Sequence, residues 1–163
     1  MRPLLSILFM VAPNMTYDLI RKQLSKTVPF AKHAGVEIEM IENGHAVATL
    51  PFRPGGLNHI GTQHAAALFA VGEAASGAAM AGAFAEMLLE IRPVAAEAAI
   101  RFLNIAKGPV RAKASVKSNP DDLVSAVKTD GKSVFQVAVN LTGEDGAKVA
   151  EMTVDWHVSR KRS

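Results

Sequence analysis

Alternating apolar and polar residues predict six short strands, two before and four after a long apolar segment. Asn43-Gly44 joins the first two strands and is typical of a two-residue hairpin turn, because both residues tolerate a positive φ. The predicted strands cover residues 36–41, 46–52, 98–106, 110–117, 134–142 and 149–158. Runs of strands joined by turns favour an antiparallel sheet over alternating strand and helix units.

The long apolar segment, residues 65–85, is rich in alanine and predicts a helix. Pro93 is expected to end this helical region. This helix is apolar on all sides, and a helix without a polar face must be enclosed by other elements. We therefore predict a single α+β domain over residues 15–159, in which a curved antiparallel sheet wraps around a long central helix.

Two shorter helices are predicted outside this segment. Residues 17–28 have the apolar spacing of a short amphipathic helix. Asn119 and Pro120 are typical of an N-cap and a first helical residue, and they begin a helix that runs to about Lys128. This last helix is predicted to lie between the fourth and fifth strands.

The composition excludes several classes of protein. The sequence has no cysteine, which excludes disulfides and thiolate ligands, and it has no zinc-ligand spacing and no phosphate-binding glycine loop. The net charge of +3 comes in part from a basic tail at residues 160–163, so we expect neither nucleic-acid binding nor a metal site. Segment 65–85 is mostly Ala and Gly and contains Glu73, which favours a buried helix of a cytoplasmic protein over a membrane span.

Residues 1–14 have no counterpart in the strand pattern. They are apolar from residue 4 to residue 12, behind a single Arg2, and are shorter than a membrane span requires. We expect a disordered N-terminal extension, or a mis-assigned start with natural translation from Met15. A weak signal peptide is the alternative, although no small-residue cleavage site follows the apolar run.

Four residues at the start of the long helix and within it carry the candidate chemistry: Asn58, Gly61, His64 and Glu73. Glu73 is the only charged residue in its apolar segment, which favours a functional role. It lies nine residues after His64, which at about 100° per residue places the two on opposite sides of the helix. If both act on one substrate, they must therefore come from different subunits.

This set resembles the start of the central helix in the hotdog superfamily, particularly its PaaI-like thioesterases and a related branch of unassigned function. The resemblance covers about residues 30–158 and implies an acyl-CoA thioesterase whose sites lie at the interface of a homodimer, or of a tetramer of such dimers. Glu73 would act as general base or nucleophile, and Asn58 and His64 would hold the carbonyl group or the water. No cofactor is implied beyond the coenzyme A of the substrate.

One residue departs from the family pattern, because Ala65 stands where many relatives have glycine. Its N–H would still polarise the thioester carbonyl, but its methyl group crowds the ligand. Gly61 and Ala65 are therefore predicted to contact substrate. Arg111 and Lys113 are candidates for contact with coenzyme A phosphates, against a simpler role as a solvated strand face.

Simpler roles and other functions compete with this prediction. Glu73 could form a structural ion pair, His64 could cap the helix, and Asn58 could belong to a turn. At the level of function the alternatives are a non-catalytic acyl- or CoA-binding hotdog domain, which Ala65 favours, a hotdog dehydratase or hydratase, and a purely structural dimerisation module.

Overall fold

The structure, a computed structural model, describes residues 4–162, with side chains described from Thr16 onward. In chain order its elements are α1 (Leu4–Thr27), α2 (Pro29–Ala34), β1 (Glu37–Glu42), β2 (His45–Leu50), α3 (Ala65–Ala83), β3 (Ile91–Phe102), β4 (Val110–Val116), α4 (Pro120–Asp130), β5 (Lys132–Gly143) and β6 (Lys148–Arg160). Single 3₁₀ segments lie at Pro54–Gly56 and Ala85–Glu90.

The strands form one antiparallel sheet in the order β1-β2-β4-β5-β6-β3. The central helix α3 packs against β1, β2, β4, β5 and β6, with most of its residues buried. Two strands precede this helix and four follow it, as predicted. The expected architecture, a curved antiparallel sheet around a long central helix, is confirmed.

Strict alternation along the central strands produces the core. In β5 the side chains of Phe135, Val137, Val139 and Leu141 are buried, while the residues between them face outward. Phe135 also meets Phe84, just beyond the end of α3, with ring centroids 5.7 Å apart. Within the described chain, α3 is the one helix long and apolar enough to cross a membrane, and its packing inside the sheet identifies it as a core helix.

Two local predictions are confirmed in detail. The β1–β2 hairpin turns at Asn43-Gly44, although only Gly44 adopts a positive φ, of 74°. At the start of α4, the side chain of Asn119 accepts a hydrogen bond from the N–H of Asp121 at 2.9 Å. Each feature depends on neighbours in sequence, which explains why sequence patterns predict it.

The prediction around Pro93 was wrong. Helix α3 ends at Ala83, and the following strand begins at Ile91 rather than at residue 98, so Pro93 lies within β3. There it is paired with Val158 of β6. The strand tolerates a residue without an N–H because β3 is at the edge of the sheet and has only one neighbour.

Both chain ends differ from the expectation in extent. Helix α1 begins at Leu4, so the helix predicted from residue 17 is the second half of a longer one. The side chains of residues 1–15 lie outside the described part, and the role of residues 1–14 stays a prediction. Near the other end, the Lys161 side chain donates to the carbonyl oxygen of Leu89 at 2.8 Å, so part of the basic tail is attached to the domain.

Candidate functional site

The loop before α3 is organised by Asn58. Its Oδ1 accepts hydrogen bonds from the N–H groups of Ile60 and Thr62, both at 3.1 Å, and its Nδ2 donates to Thr62 Oγ1 at 2.8 Å. Gly61, at the tip of the loop, is exposed and has a φ of 73°. Asn58 therefore holds the loop in shape, which is the turn role considered as an alternative.

Gln63 anchors the same loop to the sheet and was not identified from the sequence. Its side chain is 3% exposed, and its Nε2 donates to the carbonyl oxygens of Pro51, after β2, and Gly108, before β4. Both bonds, at 3.1 and 3.0 Å, join residues far apart in sequence. No local pattern signals this role, because a buried glutamine next to a helix start has no distinctive spacing.

His64 is the N-cap of α3. Its Nδ1 accepts a hydrogen bond from the N–H of Ala66 at 2.9 Å, so in the neutral ring the proton is on Nε2. The carbonyl oxygen of His64 accepts from Ala67 and Leu68. The N–H of Ala65 has no hydrogen-bond partner among the described residues. The start of α3 therefore offers an open backbone donor beside an exposed imidazole.

Glu73 lies on α3, where its side chain is only partly exposed. Burial raises the pKa of the Glu73 carboxyl above its ordinary value of 4.5, because the charged form loses solvation. Within the described chain no cation or hydrogen-bond donor contacts this carboxylate. The structural ion pair considered as an alternative is therefore not found there.

A cavity of about 240 Å³ adjoins Glu73. It lies between α3, the helices α1 and α2, strand β1 and the first residues of β3. Most of its lining is apolar, and it includes Leu24 of α1, Val28, Met80 of α3 and the ring of Trp156 from β6. Glu73 is the only acidic residue in this lining.

A short chain of hydrogen bonds fixes the turn of α3 that carries Glu73. Trp156 Nε1 donates to Ser76 Oγ at 3.2 Å, and Ser76 Oγ–H donates to the carbonyl oxygen of Glu73 at 2.7 Å. Ser76 is fully buried. Strand alternation indicates that Trp156 points inward, but its pairing with Ser76 depends on how α3 lies on the sheet.

His64 lines a different cavity, of about 500 Å³, together with His33, Arg53 and the exposed Phe30. Arg53 Nη2 donates to the carbonyl oxygen of His33 and connects this cavity wall to α2. Within one chain, His64 and Glu73 therefore do not share a cavity, as their spacing predicted. About 13.5 Å of helix rise separates them along α3.

Arg111 and Lys113 lie on the outer face of β4, away from α3. Ala112, between the two cations, and Ala114, directly after Lys113, point the other way and are buried beneath the helix. Arg111 pairs with Glu39 of β1 at 2.9 Å. The structure thus does not bring these two cations to His64 or Glu73 within one chain.

Two apolar surfaces remain partly open in the single chain. On α3, residues spaced by three or four positions form an open stripe, which consists of Ala66, Phe69, Glu73 and Gly77. Strand β3 has a free edge and exposes large side chains, among them Val94 at 47% and Phe102 at 51%. Both surfaces adjoin the cavity beside Glu73, which Gly77 of the stripe and Pro93 of β3 help to line.

The profile of a domain family of unknown function, DUF4442, matches residues 16–158, which is most of the chain. The chain belongs to this family. No functionally curated protein sequence matches this DUF4442 protein.

Solved structures similar to this DUF4442 protein belong to thioesterase-family hotdog proteins, so its fold is the hotdog fold. A Pseudomonas aeruginosa protein of unknown function, described as a probable thioesterase, has 28% identity and a TM-score of 0.77, over 88% of this chain and 95% of its own. A hypothetical thioesterase from Streptococcus pneumoniae, solved with coenzyme A, has 23% identity and a TM-score of 0.60, over 78% and 88%. The Escherichia coli PaaI protein has 19% identity and a TM-score of 0.68, over 91% and 96%.

Proposed function

We propose that this protein is an acyl-CoA thioesterase, which hydrolyses a thioester to a free acid and coenzyme A. The observation that carries the proposal is Glu73, an ionisable side chain at the edge of an apolar cavity with no partner in the described chain. A carboxylate kept in such surroundings is typical of catalytic acids and bases. The similarity to proteins described as thioesterases supports the same reaction class.

In the proposed reaction, Glu73 accepts a proton from a water molecule whose oxygen attacks the thioester carbonyl carbon. The C–S bond then breaks, and the proton passes from Glu73 to the departing coenzyme A sulfur. In the alternative route, the Glu73 carboxylate itself attacks the carbonyl carbon, the C–S bond breaks and coenzyme A leaves as its thiolate. Water then hydrolyses the mixed anhydride, which regenerates the Glu73 carboxylate and releases the acid and the proton that the thiolate takes up. Its raised pKa makes Glu73 a stronger base than an exposed glutamate, which suits both routes.

The start of α3 would stabilise the negative charge that develops on the carbonyl oxygen. The free N–H of Ala65 lies in the first turn of α3, where the helix dipole also favours negative charge. The Nε2–H of His64 is a second donor beside it. Asn58 would act indirectly, by holding the loop that leads into His64.

Because His64 and Glu73 line separate cavities within one chain, the proposed site needs two subunits. If the α3 helices of two subunits pack antiparallel along their open stripes, His64 of one comes level with Glu73 of the other along the helix axis when the two-fold axis passes near Phe69, midway between them. Phe69 is the large exposed apolar side chain of α3, at 37%. We therefore propose a homodimer, alone or as half of a tetramer.

The proposal also covers the contacts with coenzyme A, the need for cofactors and the location of the protein. Coenzyme A is bound in the Streptococcus pneumoniae structure, and here Arg111 and Lys113 would contact its phosphates from an outer sheet face. The reaction as written needs no metal or added cofactor. A cytoplasmic location is also part of the proposal.

Thiol release from a panel of acyl-CoA esters tests the proposal. Glu73→Gln keeps the size of the side chain but removes the base, so we expect hydrolysis to fall about a hundred-fold or more. Glu37→Gln makes the same change at an exposed position of β1 and should be neutral. Wild-type rates in Glu73→Gln across the whole panel would refute the assignment of Glu73.

The two-subunit site has its own test. His64→Asn keeps an N-cap acceptor while removing the imidazole. A purified heterodimer of His64→Asn and Glu73→Gln chains should regain about half of the wild-type activity, because one of its two sites is intact. No recovery above the two parent variants, or a monomeric wild type by light scattering, would contradict a site shared between subunits.

A non-catalytic acyl- or CoA-binding domain is the second candidate, and Ala65 favours it. The Ala65 methyl group occupies the position where relatives carry glycine, next to the proposed oxyanion donor. Restoring the glycine with Ala65→Gly should raise hydrolysis if the protein is a thioesterase hindered by this methyl. Binding of acyl-CoA with no hydrolysis in either form would support the second candidate.

A further inference from the structure

We infer that the cavity beside Glu73 is the acyl pocket, and that it accepts a linear or phenyl-substituted apolar acyl group of about ten heavy atoms at most. This inference rests on the proposed thioesterase function, and it adds the substrate class, which the sequence did not specify. Three features carry it: the chemistry of the lining, the volume, and the rigidity of the wall formed by Trp156.

The lining separates a polar rim from an apolar interior. Ser25 and Lys32 are exposed and lie at the rim, and Glu73 is half-buried. Deeper residues are apolar and buried, among them Ile38 and Met80. A thioester carbonyl held at Glu73 would therefore direct its acyl chain inward, where the chain gains from leaving water.

The volume limits the length of that chain. A protein cavity of about 150 Å³ holds a benzene molecule, which is about 25 Å³ for each carbon atom. At the same density, a cavity of about 240 Å³ holds about ten heavy atoms. An octyl chain or a phenyl ring with a short spacer fills this space, and a tetradecyl chain exceeds it.

The wall formed by Trp156 is rigid and offers no free polar group. The Trp156 ring is held by its hydrogen bond to Ser76 Oγ. The Ser76 hydroxyl in turn donates its hydrogen to the main-chain carbonyl oxygen of Glu73, so it is not free to bind a ligand. Gly77 leaves space beside this ring, since a Cβ at that position would lie 3.5 Å from Trp156 Cζ2. A fixed wall predicts a sharp length limit and poor acceptance of a polar chain end.

Trp156 is the single tryptophan of the sequence, so its fluorescence reports occupancy of this cavity without any need for hydrolysis. We would titrate the full chain with S-alkyl coenzyme A thioethers, which have no scissile thioester. Affinity should rise about three- to four-fold per methylene from butyl to octyl and then stop rising, so that tetradecyl binds no tighter than octyl. An octyl chain with a terminal hydroxyl should bind about ten-fold weaker, because that hydroxyl would be buried without a partner.

Variants of the lining test the location. Gly77→Leu should weaken octyl binding at least ten-fold while sparing butyl, and Leu24→Ala should shift the limit to longer chains. Leu89→Ala is the control, because it makes the same change at an exposed residue, 86% accessible, that is not part of the lining. Circular dichroism melting would confirm that each variant is folded.

The outcomes separate this inference from the proposed function. A length limit in binding that moves with Leu24→Ala but not with Leu89→Ala supports the pocket, even if no acyl-CoA is hydrolysed and the catalytic proposal fails. Hydrolysis of octanoyl- and tetradecanoyl-CoA with equal kcat/KM, or thioether affinities that do not respond to Leu24→Ala or Gly77→Leu, would overturn the pocket and leave the thioesterase proposal standing.

Discussion

Two glycines of α3 should respond in opposite directions to the same substitution by alanine. A Cβ on Gly77 would lie 3.5 Å from the nearest atom, Cζ2 of Trp156, which is an ordinary van der Waals contact. A Cβ on Gly82 would lie 2.0 Å from the carbonyl oxygen of Glu42, at the end of β1. Gly82 is therefore needed for the close approach of α3 to the β1–β2 hairpin.

The expected magnitudes follow from these distances. Replacing a helical glycine by alanine stabilises by up to about 1 kcal/mol when the methyl group has space, as it does at Gly77. At Gly82 the obstructing atom belongs to the backbone and cannot rotate away, so overpacking should destabilise by about 3 kcal/mol and exceed this gain. The net change is about 2 kcal/mol. For a domain of this size, Gly77→Ala should melt about 2–4 °C higher and Gly82→Ala about 4–8 °C lower than the wild type.

Thermal melting followed by circular dichroism measures both variants. The proteins should be compared at equal concentration, because the proposed dimerisation would make the midpoint depend on concentration. Gly77→Ala serves as the matched control for the general effect of alanine on α3. If Gly82→Ala melted at or above the wild type, α3 would not lie against the Glu42 carbonyl, and the packing described for this end of the helix would be incorrect.

Two further predictions concern Glu73 and the N-terminus. Because the carboxyl pKa of Glu73 is raised by burial, the unfolded state ionises first as the pH rises above 4.5, and wild-type stability should fall until the pH passes the folded-state pKa. Glu73→Gln should therefore have a higher melting midpoint than the wild type at neutral pH and nearly the same midpoint below pH 4.5. If the two midpoints differed by the same amount at every pH, the ionisation of buried Glu73 would not be the cause. A chain beginning at Met15 should keep the melting midpoint of the full chain, whereas aggregation or a fall of many degrees would show that residues 1–14 pack onto the domain.

Features that depend on neighbours in sequence could be predicted without a structure. The inward side chains of β5, the hairpin turn at Gly44 and the Asn119 cap of α4 each involve residues a few positions apart. The order of the six strands and of helices α1, α3 and α4 followed from the same patterns, whereas the short helix α2 was not predicted. The separation of His64 from Glu73 also needed only the helical repeat, because nine residues span two and a half turns.

The prediction failed at Pro93, where local chemistry and tertiary context disagree. A proline after an alanine-rich helix is a strong stop signal in sequence. It lies in a strand because β3 is at the edge of the sheet, and the sheet order that makes β3 an edge is not encoded in the periodicity of any single segment.

The sequence by itself therefore determined the six strands, the helices α1, α3 and α4, the order of these elements and the candidate residues before and within α3. Only the tertiary structure decided what surrounds Glu73. Trp156 and its partner Ser76 are 80 positions apart, and the cavity that Trp156 borders also uses Leu24 from α1. The physical reason is that a cavity is a property of how faces pack, whereas apolar periodicity states only that each of these faces is buried.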